Sequence, residues 1–113
     1  MPETYVNVPK PLVDERSSFA ATSYYRSAGA ASAPTTAAYR IDCVQTGTVI
    51  KAWTSLTPAV SISIPVTSNE NRIIDRCNDN EKRLITVAAD KDTDTETRDN
   101  VEFVIENRGW RDT

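Results

Sequence analysis

The amino-acid sequence predicts an all-β fold: an immunoglobulin-like, two-sheet antiparallel sandwich of about six or seven strands. Three observations carry that expectation. Apolar side chains recur at every second position in several short runs, most cleanly at Val60, Ile62, Ile64 and Val66. Polar, turn-rich segments separate those runs. No stretch of ordinary helix length carries apolar residues at the three-and-four spacing of an amphipathic helix. A small barrel would use the same β-branched residues and stays open at this level.

The elements follow in chain order. Pro2, Pro9 and Pro11 remove backbone donors and force extended geometry, so residues 1–14 read as an extended N-terminal arm or an irregular edge strand. Residues 15–107 read as the sandwich and residues 108–113 as a C-terminal tail. FAATSYYR, from Phe19 to Arg26, is a strand that runs into the low-complexity loop SAGAASAPTTA. Tyr39, Ile41 and Cys43 alternate with Arg40 and Asp42, Thr46-Gly47 supplies a turn, and Val49 to Trp53 returns, so Tyr39 to Trp53 reads as a hairpin. Its register is ambiguous because the adjacent Val49 and Ile50 cannot share a face.

The run from Val60 to Val66 contains Pro65, which requires a sheet edge or a donor position turned away from the neighbouring strand. A short helical turn around Ile73 and Ile74 is expected to plug one end of the sandwich. Leu84, Ile85 and Val87 mark the next strand and Val101, Phe103 and Ile105 the last, with the hydrophilic run Asp90 to Asn100 connecting them. The expected core is therefore Tyr39, Ile41, Cys43, Trp53, Val60, Ile62, Ile64, Ile85, Val87, Val101, Phe103 and Ile105.

Bulk properties narrow the function classes. A chain of 113 residues fits one domain of ordinary size. With 13 basic and 16 acidic side chains the formal charge is −3, which gives no positive field for phosphate backbones, so nucleic acid is not an expected partner. Residues 1–12 lack the apolar run of a secretory signal, and nothing approaches the ~18 apolar residues of a membrane helix. The expectation is a chain made in a cytosol, with no membrane partner.

Chemistry-bearing patterns are sparse. The sequence contains no histidine, which removes the commonest general base and the most frequent zinc ligand. Cys43 and Cys77 match neither a CxxC redox pair nor a four-ligand metal site, and Cys77 lies in a polar, loop-like stretch, so two free thiols are expected rather than a disulfide between the sheets. Asp90, Asp92, Asp94 and Glu96 fall on alternate positions that could face a hard cation. The calcium-loop pattern fails at Thr95 and Val101, where it needs glycine and a bidentate acid, so a solvated acidic loop is the simpler reading. Carboxylate catalysis by Asp42 or Asp75 would need a second acid alongside, and nothing in the spacing supplies one. No cofactor, no metal site and no catalytic residue are expected, and the chain reads as a binding or structural module rather than an enzyme.

Trp53 and Trp110, with Tyr24, Tyr25 and Tyr39, could form a sugar-stacking platform, although Trp53 at the end of an apolar strand favours the core. Trp110 stands in a polar tail, where either a fold-back or another subunit would have to bury it. The two ends of the chain thus supply the expected partner-binding residues: Tyr5, Val6, Pro9, Pro11 and Leu12 at the start, and Trp110 at the end. An opening segment disordered in the isolated protein is the bland alternative.

Three segments carry a resemblance: VNVPKPLVDERSS, the hairpin YRIDCVQTGTVIKAWTSL, and VSISIPVTSNENRIID before the strand KRLITVAAD. Together they resemble short immunoglobulin-like or fibronectin-III-like accessory proteins of tailed bacteriophage virions. The resemblance covers most of the chain through strand and turn patterns. It implies a structural accessory of the particle that decorates or cements the capsid, or sits at the head–tail neck or on the tail. It also implies a chain made in the host cytoplasm and located in the virion, with other virion structural proteins as partners. Self-association within the particle stays open, and a host-surface or carbohydrate-adhesion module is the competing reading.

Overall fold

A computed structural model describes residues 2–74 and 79–107. The expected tail 108–113 with Trp110, and also Cys77 and Asp75, lie outside the described residues. Nine strands and no helix are present among the described residues: β1 (Pro2–Asn7), β2 (Leu12–Asp14), β3 (Phe19–Ser27), β4 (Ala30–Ala31), β5 (Ala37–Cys43), β6 (Val49–Leu56), β7 (Ser61–Val66), β8 (Asn80–Ala89) and β9 (Thr97–Glu106).

They form two sheets. In the first, β3 lies between β1 on one side and β7 on the other, with the short β4 continuing the β7 side. In the second the order is β2-β9-β8-β5-β6, antiparallel throughout except for β2, which runs parallel to β9. No strand pairs across the two sheets among the described residues, so the chain is a sandwich and not a barrel. Hairpin-linked partners sit in one sheet while β7 returns to β3 in the other, so the chain connections cross between the two layers of the sandwich. The excess over the expected strand number comes from the short β2 and β4 and from the ordered β1.

Period-two alternation builds the core. Ala37, Tyr39, Ile41 and Cys43 of β5 face inward against Ile85, Val87 and Ala89 of β8, Phe103 and Ile105 of β9, and Ala21, Tyr25, Ile64 and Val66 from the opposite sheet. Val101 and Ile62 are partly buried against this cluster. Two expected core residues lie elsewhere. Val60 precedes β7, which starts one residue later at the end of the sheet, and is 43% exposed. Trp53 is only half-buried, since β6 is the outermost strand and the ring lies among cations on the outer face.

The opening segment is not an arm. β1 pairs with β3 from Pro2 to Asn7, and Val6 is 3% exposed in the core. Pro9 and Pro11 then break the ladder, because neither can donate, and the chain crosses to the other sheet, where β2 pairs with β9. One segment thus belongs to both sheets, and a boundary at residue 14 would divide the sandwich itself.

The turns also differ from the sequence expectation. The low-complexity stretch after β3 begins with a two-residue hairpin at Ala28-Gly29, with φ of 53° and 81°, as the positive-φ turns that match strand twist require. In the β5–β6 hairpin, Gly47 takes the left-handed φ of 71° and its N–H reaches the Cys43 carbonyl at 2.9 Å. Two register shifts, between Tyr39 and Ile41 and between Ile41 and Asp42, place extra residues on β6, so Val49 is exposed while Ile50 packs on the core. The turn expected at Ile73–Ile74 falls earlier. Thr67 and Glu70 cap each other: the Thr67 N–H donates to Glu70 Oε1 at 2.8 Å, and the Glu70 N–H donates to Thr67 Oγ1 at 3.3 Å. Ile73, 5% exposed, is then carried down onto the core. Finally, β9 begins at Thr97, so the end of the hydrophilic run expected as a loop is strand.

Candidate functional site

The strand crossing creates the main concavity among the partner residues expected from the sequence. Pro9, Lys10, Leu12 and Val13 form one wall, Ser17 to Phe19 another, and Glu106 of β9 closes one side of a groove of about 400 Å³. Leu12 is 50% exposed there, whereas the Phe19 ring meets Phe103 edge-on at 5.0 Å and so roots the groove in the core. Lys10, Asp14 and Glu106 supply charge of both signs around walls that mix apolar side chains with Ser17 and Ser18.

Local hydrogen bonds hold the walls rigid. The Ser17 N–H and Oγ both donate to the Asp14 carbonyl, at 3.2 and 2.5 Å. Arg16 adopts φ of 62°, which turns its N–H onto the Asn71 carbonyl at 2.8 Å, and Asn71 Nδ2 donates to the Ser17 carbonyl at 2.7 Å. The groove wall is therefore tied to the loop between β7 and β8.

That loop is anchored by charged residues the sequence reading passed over. Glu81 and Arg83 are both fully buried on the inner face of β8, with Arg83 Nη2 2.9 Å from Glu81 Oε1. Arg83 also donates to the carbonyls of Glu70 at 2.7 Å and Arg72 at 2.5 Å, and Glu81 Oε1 accepts from the Ile74 N–H at 2.9 Å. The available signal was parity: Glu81 and Arg83 share the alternation of Ile85 and Val87. These further bonds offset much of the cost of so full a desolvation, and they engage both Arg83 Nη groups while leaving the buried Arg83 Nε without a partner.

The other expected residues do not converge on the groove. Tyr5 lies on the outer face of the first sheet, stacked on Tyr24 at 5.5 Å and 23°, and its hydroxyl donates to Glu3. That bond to a carboxylate, reinforced by slight burial and the Glu3 charge, raises the Tyr5 pKa above the usual tyrosine value. Val6 is core and unavailable to a partner. Pro9 and Leu12 line the groove, and Pro11, between them, gives its carbonyl to the Val104 N–H at 2.7 Å.

The aromatic residues do not form a common sugar platform: Tyr25 and Tyr39 are buried, and the Trp53 ring is occupied. Arg40 Cζ, Lys91 Nζ and Arg98 Cζ lie 5.7, 5.1 and 5.2 Å from its centroid. The sheet register explains the cluster. Ala38 of β5 pairs with Ala88 of β8, which pairs with Arg98 of β9, so two small residues leave a trough. Strands are about 4.8 Å apart, so Trp53 and Arg98, three spacings away, reach toward each other across it. Ala88 is 0% exposed although its two neighbours in β8 face the core. Each cation is also paired with a carboxylate: Arg40 with Asp42 at 2.7 Å, Lys91 with Asp92 at 3.0 Å and Arg98 with Glu96 at 3.0 Å.

The acidic loop is engaged in its own structure. Asp90 Oδ1 accepts the N–H groups of Thr35 and Thr36 at 2.9 and 3.1 Å, and Glu96 accepts from the Asp92 N–H at 3.2 Å. Asp42 is held by both the Nε and Nη2 of Arg40, at 2.9 and 2.7 Å. Cys43 is a buried free thiol. Comparison with family models, curated proteins and solved structures finds no match for the chain.

Proposed function

We propose that the protein is a non-enzymatic structural accessory of a tailed-phage particle, holding other virion proteins through the groove at the β1–β2 crossing. The observation that supports this reading is the exposed Leu12 on an edge strand, beside a partly apolar concavity whose walls are fixed by the Asp14–Ser17–Asn71 bonds. A firmly held pocket with Pro9, Leu12, Val13 and Phe19 inside a polar, mixed-charge rim suits capture of an amphipathic anchor from a partner protein. The resemblance of the three sequence segments supplies the virion context.

Co-sedimentation of the purified protein with particles tests the reading. The wild type is expected to sediment with capsid, neck or tail components, and Leu12→Asp to bind at least about tenfold more weakly with an unchanged unfolding midpoint. Failure of the wild type to bind any particle component sinks the proposal. The stacked Tyr5–Tyr24 pair on the outer face, with Asn7 Nδ2 donating to the Tyr24 hydroxyl at 2.8 Å, favours carbohydrate adhesion as the second reading. Binding on a glycan array that is lost in Tyr24→Ala would replace the first reading with the second.

A further inference from the structure

The sheet edges differ in how they are guarded. Along β1 the Val6 N–H faces away from β3 and is taken by Asp99 Oδ2 at 3.0 Å, and Thr4 Oγ1 lies 2.6 Å from Thr97 Oγ1, so β9 side chains block that edge. Edge strand β6 carries two register shifts and sets Lys51 opposite the inward-facing Ile41, both familiar devices against strand addition. β2 and β4 are only three and two residues long. β7 has six residues paired to β3 without a register shift, no charged side chain, and no second partner strand among the described residues.

The direction of its free groups follows from one bond. The Tyr25 N–H donates to the Val60 carbonyl at 3.1 Å, so Val60, Ile62, Ile64 and Val66 direct their backbone groups at β3. Ser61, Ser63 and Pro65 direct theirs outward, and Pro65 contributes only a carbonyl. A strand added here must place apolar residues on the inner face beside Ile62 and Val60, and small residues on the outer face beside the serines. β7 itself has that pattern.

We propose that the free edge of β7 is a self-association site, occupied by β7 of a second copy of this chain in antiparallel register about a two-fold axis at Ser63. In that register Ser63 exchanges both backbone bonds with its own counterpart, and the Ser61 N–H reaches the Pro65 carbonyl of the partner strand, so the missing proline donor costs only the reciprocal bond. On the inner face Ile62 meets Ile64 and the exposed Val60 meets Val66, each pair formed twice. The axis joins the two first sheets into one continuous sheet. A strand-addition contact of six residues is smaller than the ~1,200 Å² of a standard stable interface, so the dimer is concentration-dependent.

Sedimentation equilibrium of the full chain from about 10 μM to about 1 mM reads the proposal directly. The expected result is a rise from monomer to dimer mass in that range, with slowed amide exchange at Ser61 and Ser63 at the high end. Ser63→Lys puts two like charges directly opposite at the axis while leaving the β3 ladder intact, and is expected to stay monomeric throughout with unchanged circular dichroism. Ser63→Thr is expected to dimerise like the wild type. A wild type that remains monomeric, a Ser63→Lys variant that dimerises as well as the wild type, or exchange at Ser61 and Ser63 that ignores concentration overturns it.

Discussion

Glu81 and Arg83 hold the loop between β7 and β8 because each satisfies the other where no water can. Removing one partner leaves a buried charge uncompensated, so Glu81→Gln or Arg83→Met is expected to cost about 3–5 kcal/mol. Replacing both with apolar residues of similar volume is expected to cost much less, a difference that urea unfolding of the single and double variants measures. Tyr25 and Tyr39 make the complementary case for neutral groups. Burial raises both pKa values above the ordinary 10.0, outweighing for Tyr25 the Ser23 hydrogen bond, which favours ionisation, and for Tyr39 adding to the repulsion from Glu70. The folded state keeps these protons after the unfolded chain has lost them. The contribution of the pair is therefore fully present below about pH 10 and declines as the pH rises through their folded values. Tyr25→Phe and Tyr39→Phe are expected to flatten the fall of the urea midpoint above pH 10, and an unchanged slope would contradict the assignment. At this scale the apolar core was legible from alternation, whereas Glu81 and Arg83 were not read because their charge outweighed their parity.

Among the elements, β1 and β2 depart most from what the sequence suggests. Three prolines and an irregular apolar pattern look like a loose end, yet Pro2 opens strand β1 and only Pro9 and Pro11 mark the crossing between sheets. Val6 and Thr4 are buried by a strand, β9, whose neighbourhood no local pattern reveals. Deleting residues 1–8 is therefore expected to lower stability by at least ~2 kcal/mol, the value of burying the Val6 side chain alone, as measured by denaturant unfolding. A dispensable arm would leave the midpoint unchanged. The groove was half legible for the same reason. Pro9 and Leu12 were identified as contact residues from their composition, but Glu106 completes the concavity through the β2–β9 pairing and Phe19 through the packing of its ring on Phe103 from the other sheet. The β5–β6 hairpin was the easiest element to read, because its turn carries local chemistry in Gly47, whereas the Ala28-Gly29 turn was hidden in a low-complexity stretch that reads as a loop.

The whole molecule is asymmetric about its two flanks. On one, the β1–β2 segment passes from sheet to sheet and β9 side chains cover the free backbone of β1; on the other, β7 and β6 end the sheets with no connecting strand among the described residues. Alternation gives each strand an inside and an outside but carries no information about which strand lies beside which, so this difference was not legible. It has a consequence for how the chain is made. The contacts of Thr4 with Thr97 and of Val6 with Asp99 join residues 93 positions apart, among the most distant pairings the topology contains. During synthesis the first strands leave the ribosome long before β9 exists, so the flank that is best protected in the folded sandwich closes late, and Val6 must wait for a partner that is translated 93 residues after it.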